Sequence, residues 1–243
     1  MNVREFKFTG TDVAADIRGK YGYDGPLLPI YAGHEGAVVH KWHHYIPLYD
    51  RYLSRFCGQP VRFLEIGVFR GGSLEMWREF LGPQAVLFGI DIDPECARFD
   101  GNAGQVRIGS HDDPAFLNRV IDEMGGIDVV LDDGSHRMEH IRASLDVLFP
   151  RLSLGGIYVI EDLHTAYFRN YGGTWREDGY RGKHNFLRGL TGMIDDMHHW
   201  YHDLPAQVPA LGGALSGIHI HDSFVVLEKN GAHRPVHSRV GAP

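Results

Sequence analysis

The sequence predicts an α/β fold, a doubly wound and mostly parallel sheet with an antiparallel C-terminal strand and a short helical extension at the N-terminus. Three observations carry that expectation. From Val61 onward, short apolar runs alternate with helical patterns, the signature of successive βαβ units. The first run leads into a glycine-rich turn, Glu65-Ile66-Gly67-Val68-Phe69-Arg70-Gly71-Gly72-Ser73. Two later runs end in acids, as Asp132-Asp133-Gly134-Ser135-His136 and as Glu161-Asp162. In an open α/β sheet the ligand crevice lies just beyond the carboxyl ends of the strands, so these acids are expected to converge there.

The elements follow in order. Residues 1–57 read as a mainly helical extension and residues 58–243 as the main domain. The first 40 residues are rich in glycine and aromatics with weak periodicity, which predicts one or two short helices. Over 41–57, Trp42, Tyr45, Leu48, Tyr49, Tyr52 and Phe56 recur at spacings of three and four, so a helix is expected until Gly58 and Pro60 end it. The strand runs are Val61–Ile66, Ala85–Ile90, Val106–Ile108, Ile127–Leu131 and Ile157–Ile160. Helices are expected between them at Ser73–Leu81, Pro114–Met124 and His136–Leu148, with right-handed crossovers. Residues 163–185 carry many Gly, Tyr, Arg and Trp residues and no period, which predicts a functional lid. A helix is expected over 184–202, then one or two strands over Ile218–Glu228, and a loose last dozen residues.

Composition narrows the function. A chain of 243 residues with 43% hydrophobic and 23% charged residues can bury an ordinary core. Its formal charge of -7 argues against a nucleic-acid partner, which needs a basic face. Cys57 and Cys96 lack the paired spacing of a zinc site and read as reduced thiols of a cytoplasmic protein. No stretch reaches the roughly 18 apolar residues of a membrane span, and the N-terminus has no apolar signal-peptide core.

The chemistry begins at the glycine turn, where backbone can approach a ligand closely and helix amides can hold a carboxylate or phosphate. Asp91 ends the second run about two dozen positions later, the place for an acid that binds ribose hydroxyls. Asp93, beside Pro94, reads as a helix N-cap. An NAD site and an S-adenosylmethionine site both fit this pair, although the turn lacks the G-x-G step of the NAD fingerprint. The carboxylates of Asp133, Glu161 and Asp162 repel one another on convergence, and a hard divalent cation such as Mg2+ compensates most simply. His136 lies three residues beyond Asp133 and can take a proton from a hydroxyl that the cation has acidified. His140 and His164 are weaker candidates for that base.

The motif E-x-G-x-x-x-G resembles the first motif of class I S-adenosylmethionine-dependent methyltransferases. The stretches FLEIGVFRGGSLEMWREF, FGIDIDP, DVVLDDGSH and GGIYVIEDLHTAYF, with KWHHYIPLYDRYL and IHIHDSFVVLEK, resemble the metal-dependent sugar O-methyltransferases of the macrocin/mycinamicin type over residues 40–230. Cephalosporin-hydroxylase-type and rhamnosyl O-methyltransferases are more distantly similar. The resemblance implies the class I Rossmann-like fold, S-adenosylmethionine and Mg2+ as cofactors, and an antibiotic-biosynthesis homo-oligomer acting on a deoxysugar hydroxyl of a glycoside or nucleotide sugar. It implies metal ligands at Asp133, Glu161 and Asp162 and a catalytic His136. Cofactor contacts fall at Glu65, Gly67, Gly71, Ser73 and Asp91, with Ser110 and His111 toward the adenine; Asp132 would share the metal or meet the sulfonium. Some macrolide enzymes carry a large N-terminal auxiliary domain where this chain has a short extension. In the expected lid, Tyr167, Tyr171, Trp175 and Tyr180 would stack on a sugar or aglycone, and Arg169, Arg176 and Arg181 would bind a diphosphate. The alternatives are a catechol-like phenol as acceptor, a non-catalytic cofactor-binding scaffold, which needs neither acid cluster nor His136, and an NAD-dependent oxidoreductase.

Overall fold

The computed structural model describes residues 6–174, 182–202, 211, 213–231 and 233–241. Seven strands lie in one sheet: β1 (Arg62–Ile66), β2 (Val86–Asp91), β3 (Gln105–Ile108), β4 (Ile127–Asp132), β5 (Leu152–Ile160), β6 (Leu215–His221) and β7 (Phe224–Lys229). Their order is β3-β2-β1-β4-β5-β7-β6. The first five pair in parallel, while β7 runs antiparallel to both β5 and β6. The order reverses direction between β1 and β4, the point where such sheets bind ligands.

The described helices are α1 (Val13–Tyr21), α2 (Leu27–Ala32), α3 (Tyr45–Leu53), α4 (Gly72–Leu81), α5 (Pro114–Met124), α6 (Met138–Arg151) and α7 (Phe186–Met197). Because side chains alternate along a strand, each strand feeds two cores. Phe63, Val129, Leu131, Ile157, Val159 and Phe224 pack with buried residues of α1 to α4. Leu64, Ile66, Val130, Tyr158, Ile160 and Val225 pack with buried residues of α5, α6 and α7. The helices of the N-terminal extension therefore roof one face of the sheet: Ile17, Leu28, Tyr45 and Tyr49 are fully buried there. Among the described residues no helix is long and apolar enough to cross a membrane.

Local chemistry sets the boundaries. Asp113 caps α5 by accepting from the Ala115 and Phe116 amides, Pro114 occupies its first turn, and Gly125 ends it at a φ of 75°. Where the periodicity predicts a helix over 41–57, α3 starts only at Tyr45 and finishes in a 3-10 turn at Ser54–Phe56. Pro47 is tolerated in the first turn of α3 because its missing N–H is not needed there. The helix expected from His136 starts instead at Met138, since His136 has a left-handed φ of 55°. β5 begins at Leu152, earlier than its apolar run, and the lid segment opens with 3-10 turns at Leu163–Tyr167 and Arg169–Tyr171. The C-terminal strand signal resolves into the β6–β7 hairpin. Residues 233–240 carry no secondary structure and are exposed.

Leu28 on α2 tests whether the N-terminal helices are core or appendage. Leu28→Ala is expected to destabilise the chain by about 2–5 kcal/mol in urea unfolding, the range for a buried leucine. A loss of less than about 0.5 kcal/mol, the size of a surface effect, would mean that α2 does not share the core.

Candidate active site

A cleft of about 560 Å³ opens beyond the carboxyl ends of β1, β2, β4 and β5, where Ile66, Asp91, Asp133 and Glu161 line it. One wall is the glycine turn. Gly67 adopts a φ of 98°, and a Cβ there would strike the Asp133 backbone carbonyl. Only glycine lets the β1 and β4 loops approach this closely. Asp91 closes the same turn from β2: its Oδ2 accepts from the Val68 amide at 2.9 Å and the Phe69 amide at 3.0 Å. Its Oδ1 accepts from the Asp93 amide at 2.9 Å. Asp93 itself caps the following turn through the Glu95 amide, as its place beside Pro94 predicts.

Glu65, Gly71 and Ser73 do not line the cleft. Glu65 lies beneath the turn, fully buried, accepting from the Ser73 hydroxyl at 2.7 Å and the Trp77 indole at 3.1 Å. Burial pushes its carboxyl up to about 7, against the pull of Lys41 and the Ser73 hydrogen bond. Gly71, at a φ of 81°, lies where a Cβ would press on the Phe99 ring. Ser110 and His111 do line the cleft. The buried His111 shares a hydrogen bond with Ser135 through Nε2 at 3.0 Å, and burial lowers its pKa. Ser135 also meets His140 Nδ1 at 3.0 Å, so His140 belongs to this side network rather than to the acids of β5.

The acids are sorted by the pleat. Ile66, Asp132 and Ile160 stand side by side on β1, β4 and β5. Asp132 therefore points with Ile66 and Ile160 toward α6, where it accepts from Ser144 at 2.9 Å and Tyr158 at 2.8 Å. Glu65, Asp133 and Glu161, one residue out of phase, reach the opposite side, and there they meet Lys41. The Lys41 ammonium donates to Asp133 Oδ2 at 2.5 Å and to both Glu161 oxygens at 3.1 Å, and lies 4.0 Å from Glu65. Burial opposes its charge, but Asp133, Glu161 and Glu65 outweigh that cost and raise its pKa. Tyr49 donates to Glu161 from α3. Burial and the neighbouring Asp133 hold the Glu161 carboxyl well above the usual range.

Asp162 turns the other way, at a left-handed φ of 54°. Its Oδ1 accepts from the Trp42 indole and the Tyr45 hydroxyl, each at 2.9 Å. Its Oδ2 lies 3.6 Å from His136 Nε2, which is 3.9 Å from Asp133 Oδ1. Asp133, His136 and Asp162 thus offer donor atoms all within 4.8 Å of one another. The two carboxylate oxygens suit a small, hard divalent cation. Left-handed non-glycine residues are strained, and such strain gathers at functional sites. His164 faces aside, bonded to Ser223 at 2.7 Å.

Lys41, Trp42, Tyr45 and Tyr49 escaped functional assignment from sequence because their aromatic spacing reads as a plain amphipathic helix. The lysine next to it was the available signal, at the head of the KWHHYIPLYDRYL segment. In the expected lid, Leu163, Thr165 and Ala166 are buried and Tyr171 stands 6.4 Å from the His136 ring, centroid to centroid. Trp175, Arg176, Tyr180 and Arg181 lie outside the described residues.

Comparison with known proteins places the chain near methyltransferases. A methyltransferase-domain family model matches residues 64–163. The chain is 39% identical over 226 residues to 8-demethyl-8-(2-methoxy-alpha-L-rhamnosyl)-tetracenomycin-C 3'-O-methyltransferase of Streptomyces olivaceus, a match covering 88% of this chain and 56% of the relative. It is 33% identical to demethylmacrocin O-methyltransferase of Streptomyces fradiae, over 84% of this chain and 52% of that protein. The structure of the MycE methyltransferase of mycinamycin biosynthesis, solved with Mg, SAH and mycinamycin VI, superposes with a TM-score of 0.71 at 30% identity. That match covers 91% of this chain and 54% of MycE. The chain spans about half the length of the curated relatives it matches.

The pleat separates two adjacent aspartates, and calorimetry with Mg2+ can read the separation. Asp133→Asn is expected to weaken Mg2+ binding by more than about tenfold, the scale of losing a shell partner. Asp132→Asn is expected to leave affinity within about twofold while removing about 1–3 kcal/mol of stability from the Ser144 and Tyr158 network. Equal losses of affinity in the two variants would contradict the assignment.

Proposed function

This chain belongs to the class I methyltransferases, among relatives of the macrocin and mycinamicin sugar O-methyltransferases, and from that premise we propose a Mg2+- and S-adenosylmethionine-dependent O-methyltransferase. Its acceptor is a deoxysugar hydroxyl of a natural-product glycoside or of its nucleotide-sugar precursor. The single observation that carries the reading is the meeting of Asp133, His136 and Asp162 in the cleft that Gly67 and Asp91 also line. The sugar acceptor rests on the named activities of the relatives.

The donor set fits a divalent cation, since Asp133 and Asp162 present hard carboxylate oxygens and the cleft leaves room for water and substrate. When bound, the cation supplies a Lewis acid for the acceptor hydroxyl, and S-adenosylmethionine supplies an electrophilic methyl group. The residues of the chain do the rest. Asp133 and Asp162 would hold the cation, with Glu161 behind them, both its oxygens accepting from Lys41. Trp42 and Tyr45 lock Asp162 from behind. His136 Nε2 would accept the proton of the acceptor hydroxyl. Asp91, with three amide bonds already on its carboxylate, would accept from a ribose hydroxyl through the remaining lone pair on Oδ1. Ser110 and His111, which line the cleft, would meet the adenine, while Glu65, Gly71 and Ser73 shape the turn from below. Holding acceptor and methyl in line supplies up to about 7–11 kcal/mol of the barrier.

His136→Ala is expected to lower turnover by about 10²–10⁴-fold, the contribution of a positioned general base. Its affinity for S-adenosylhomocysteine is expected to stay within about threefold, because His136 lies on the acid side of the cleft. The assay is a mass-shift screen of glycosides and nucleotide sugars with Mg2+ present. Full turnover in the variant would remove His136 as the base, and turnover indifferent to chelation would remove the cation.

A further inference from the structure

A lysine with 2% of its side chain exposed stands inside the acid cluster, hydrogen-bonded to two carboxylates and 4.0 Å from a third. Nothing in methyl transfer requires a buried ammonium beside the residues that hold a cation. A positive charge there opposes binding of a second one, and burial makes the lysine itself costly. Its place therefore calls for an explanation.

We propose that Lys41 is a positioning residue that acts as a resident counter-charge: it holds Asp133 and Glu161 together before the cation arrives, and it sets how tightly the cation binds. The inference rests on the cation reading above and deepens it. Three geometric facts support it. Lys41 bridges β4 and β5 by bonding Asp133 and Glu161, so two strand tips are tied through one ammonium. Tyr49 donates to Glu161 from the helix that follows Lys41, so the same N-terminal segment grips this acid twice. The next residue, Trp42, bonds Asp162, which leaves Oδ2 of that acid turned toward His136.

The consequence is a division of labour among the acids. Glu161 spends both oxygens on Lys41 and one of them also on Tyr49. Asp133 gives Oδ2 to Lys41 and keeps Oδ1 toward His136. The open oxygens of Asp133 and Asp162 then face the cleft. The ammonium offsets part of the negative charge that these acids would otherwise bring together. Without Lys41 that offset is lost, so the metal-free protein is expected to be less stable and its cation affinity higher.

The experiment uses the full chain and two readouts that do not involve turnover. Thermal unfolding of metal-free protein is compared with calorimetric titration of Mn2+ and Mg2+ for wild type, Lys41→Met and Lys41→Met/Glu161→Gln. Lys41→Met is expected to unfold at lower temperature without metal and to bind Mn2+ at least about fivefold more tightly, since a like charge a few ångströms away has gone. The double variant removes one charge of each sign and is expected to recover most of the unfolding temperature and to bind Mn2+ near the wild-type affinity. A Lys41→Met protein that binds Mn2+ no more tightly than wild type overturns the proposal. If Lys41→Met does not fold, the double variant decides: failure to fold there too shows that Lys41 acts by packing alone, which also overturns it. Wild type that binds neither metal defeats the cation reading instead, while the unfolding comparison still judges the counter-charge.

Discussion

Strand register governs this site. On β1, β4 and β5 the residues Ile66, Asp132 and Ile160 lie side by side, and the pleat sends neighbours to opposite faces. Asp132 and Asp133 are adjacent in sequence yet serve different cores. One completes a buried network with Ser144 and Tyr158, and the other enters the cleft. Glu161 follows Asp133 onto the same side because β5 keeps phase with β4. A shift of one residue in β5 would turn Glu161 toward α6 and leave Lys41 with one strand tip to bind.

The two halves of the cleft depend on each other through backbone. Gly67 belongs to the turn on the Asp91 side of the cleft, and Asp133 to the acid side, yet a single Cβ at Gly67 would force the Asp133 carbonyl away. Left-handed backbone at His136 and Asp162 aims their side chains at one another. That strain is held by surrounding bonds: Thr165 donates to the Asp162 carbonyl at 2.6 Å, and Trp42 and Tyr45 grip the Asp162 carboxylate. The N-terminal extension thus does more than roof the core, since Lys41 and Trp42 before α3 and Tyr45 and Tyr49 within it hold the acids.

Much of this was legible in the chain. Apolar runs located the five parallel strands to within a few residues, because buried parallel strands are continuously hydrophobic. The Asp113-Pro114 start and Gly125 end of α5 were readable from capping chemistry. The expectation that strand-end acids meet in one cleft needed only the general geometry of α/β sheets, and it located Asp133, Glu161 and Asp162. What stayed hidden needed three-dimensional context. Which of two adjacent aspartates enters the cleft depends on strand phase. Helical periodicity hid the inward turn of Lys41 and the start of α3 at Tyr45, since aromatic spacing does not report a break in the backbone. His136 falls outside α6 because its backbone is left-handed, which no local propensity foretells.

The proposed cation would sit between Asp133 and Asp162, with Lys41 behind them as counter-charge. Anomalous diffraction from crystals of the full chain grown with Mn2+ tests it most directly. A peak is expected at about 2.0–2.3 Å from one carboxylate oxygen each of Asp133 and Asp162, the distance of direct oxygen ligands. A peak bound elsewhere, or carboxylates that keep their metal-free partners with no peak between them, would contradict it.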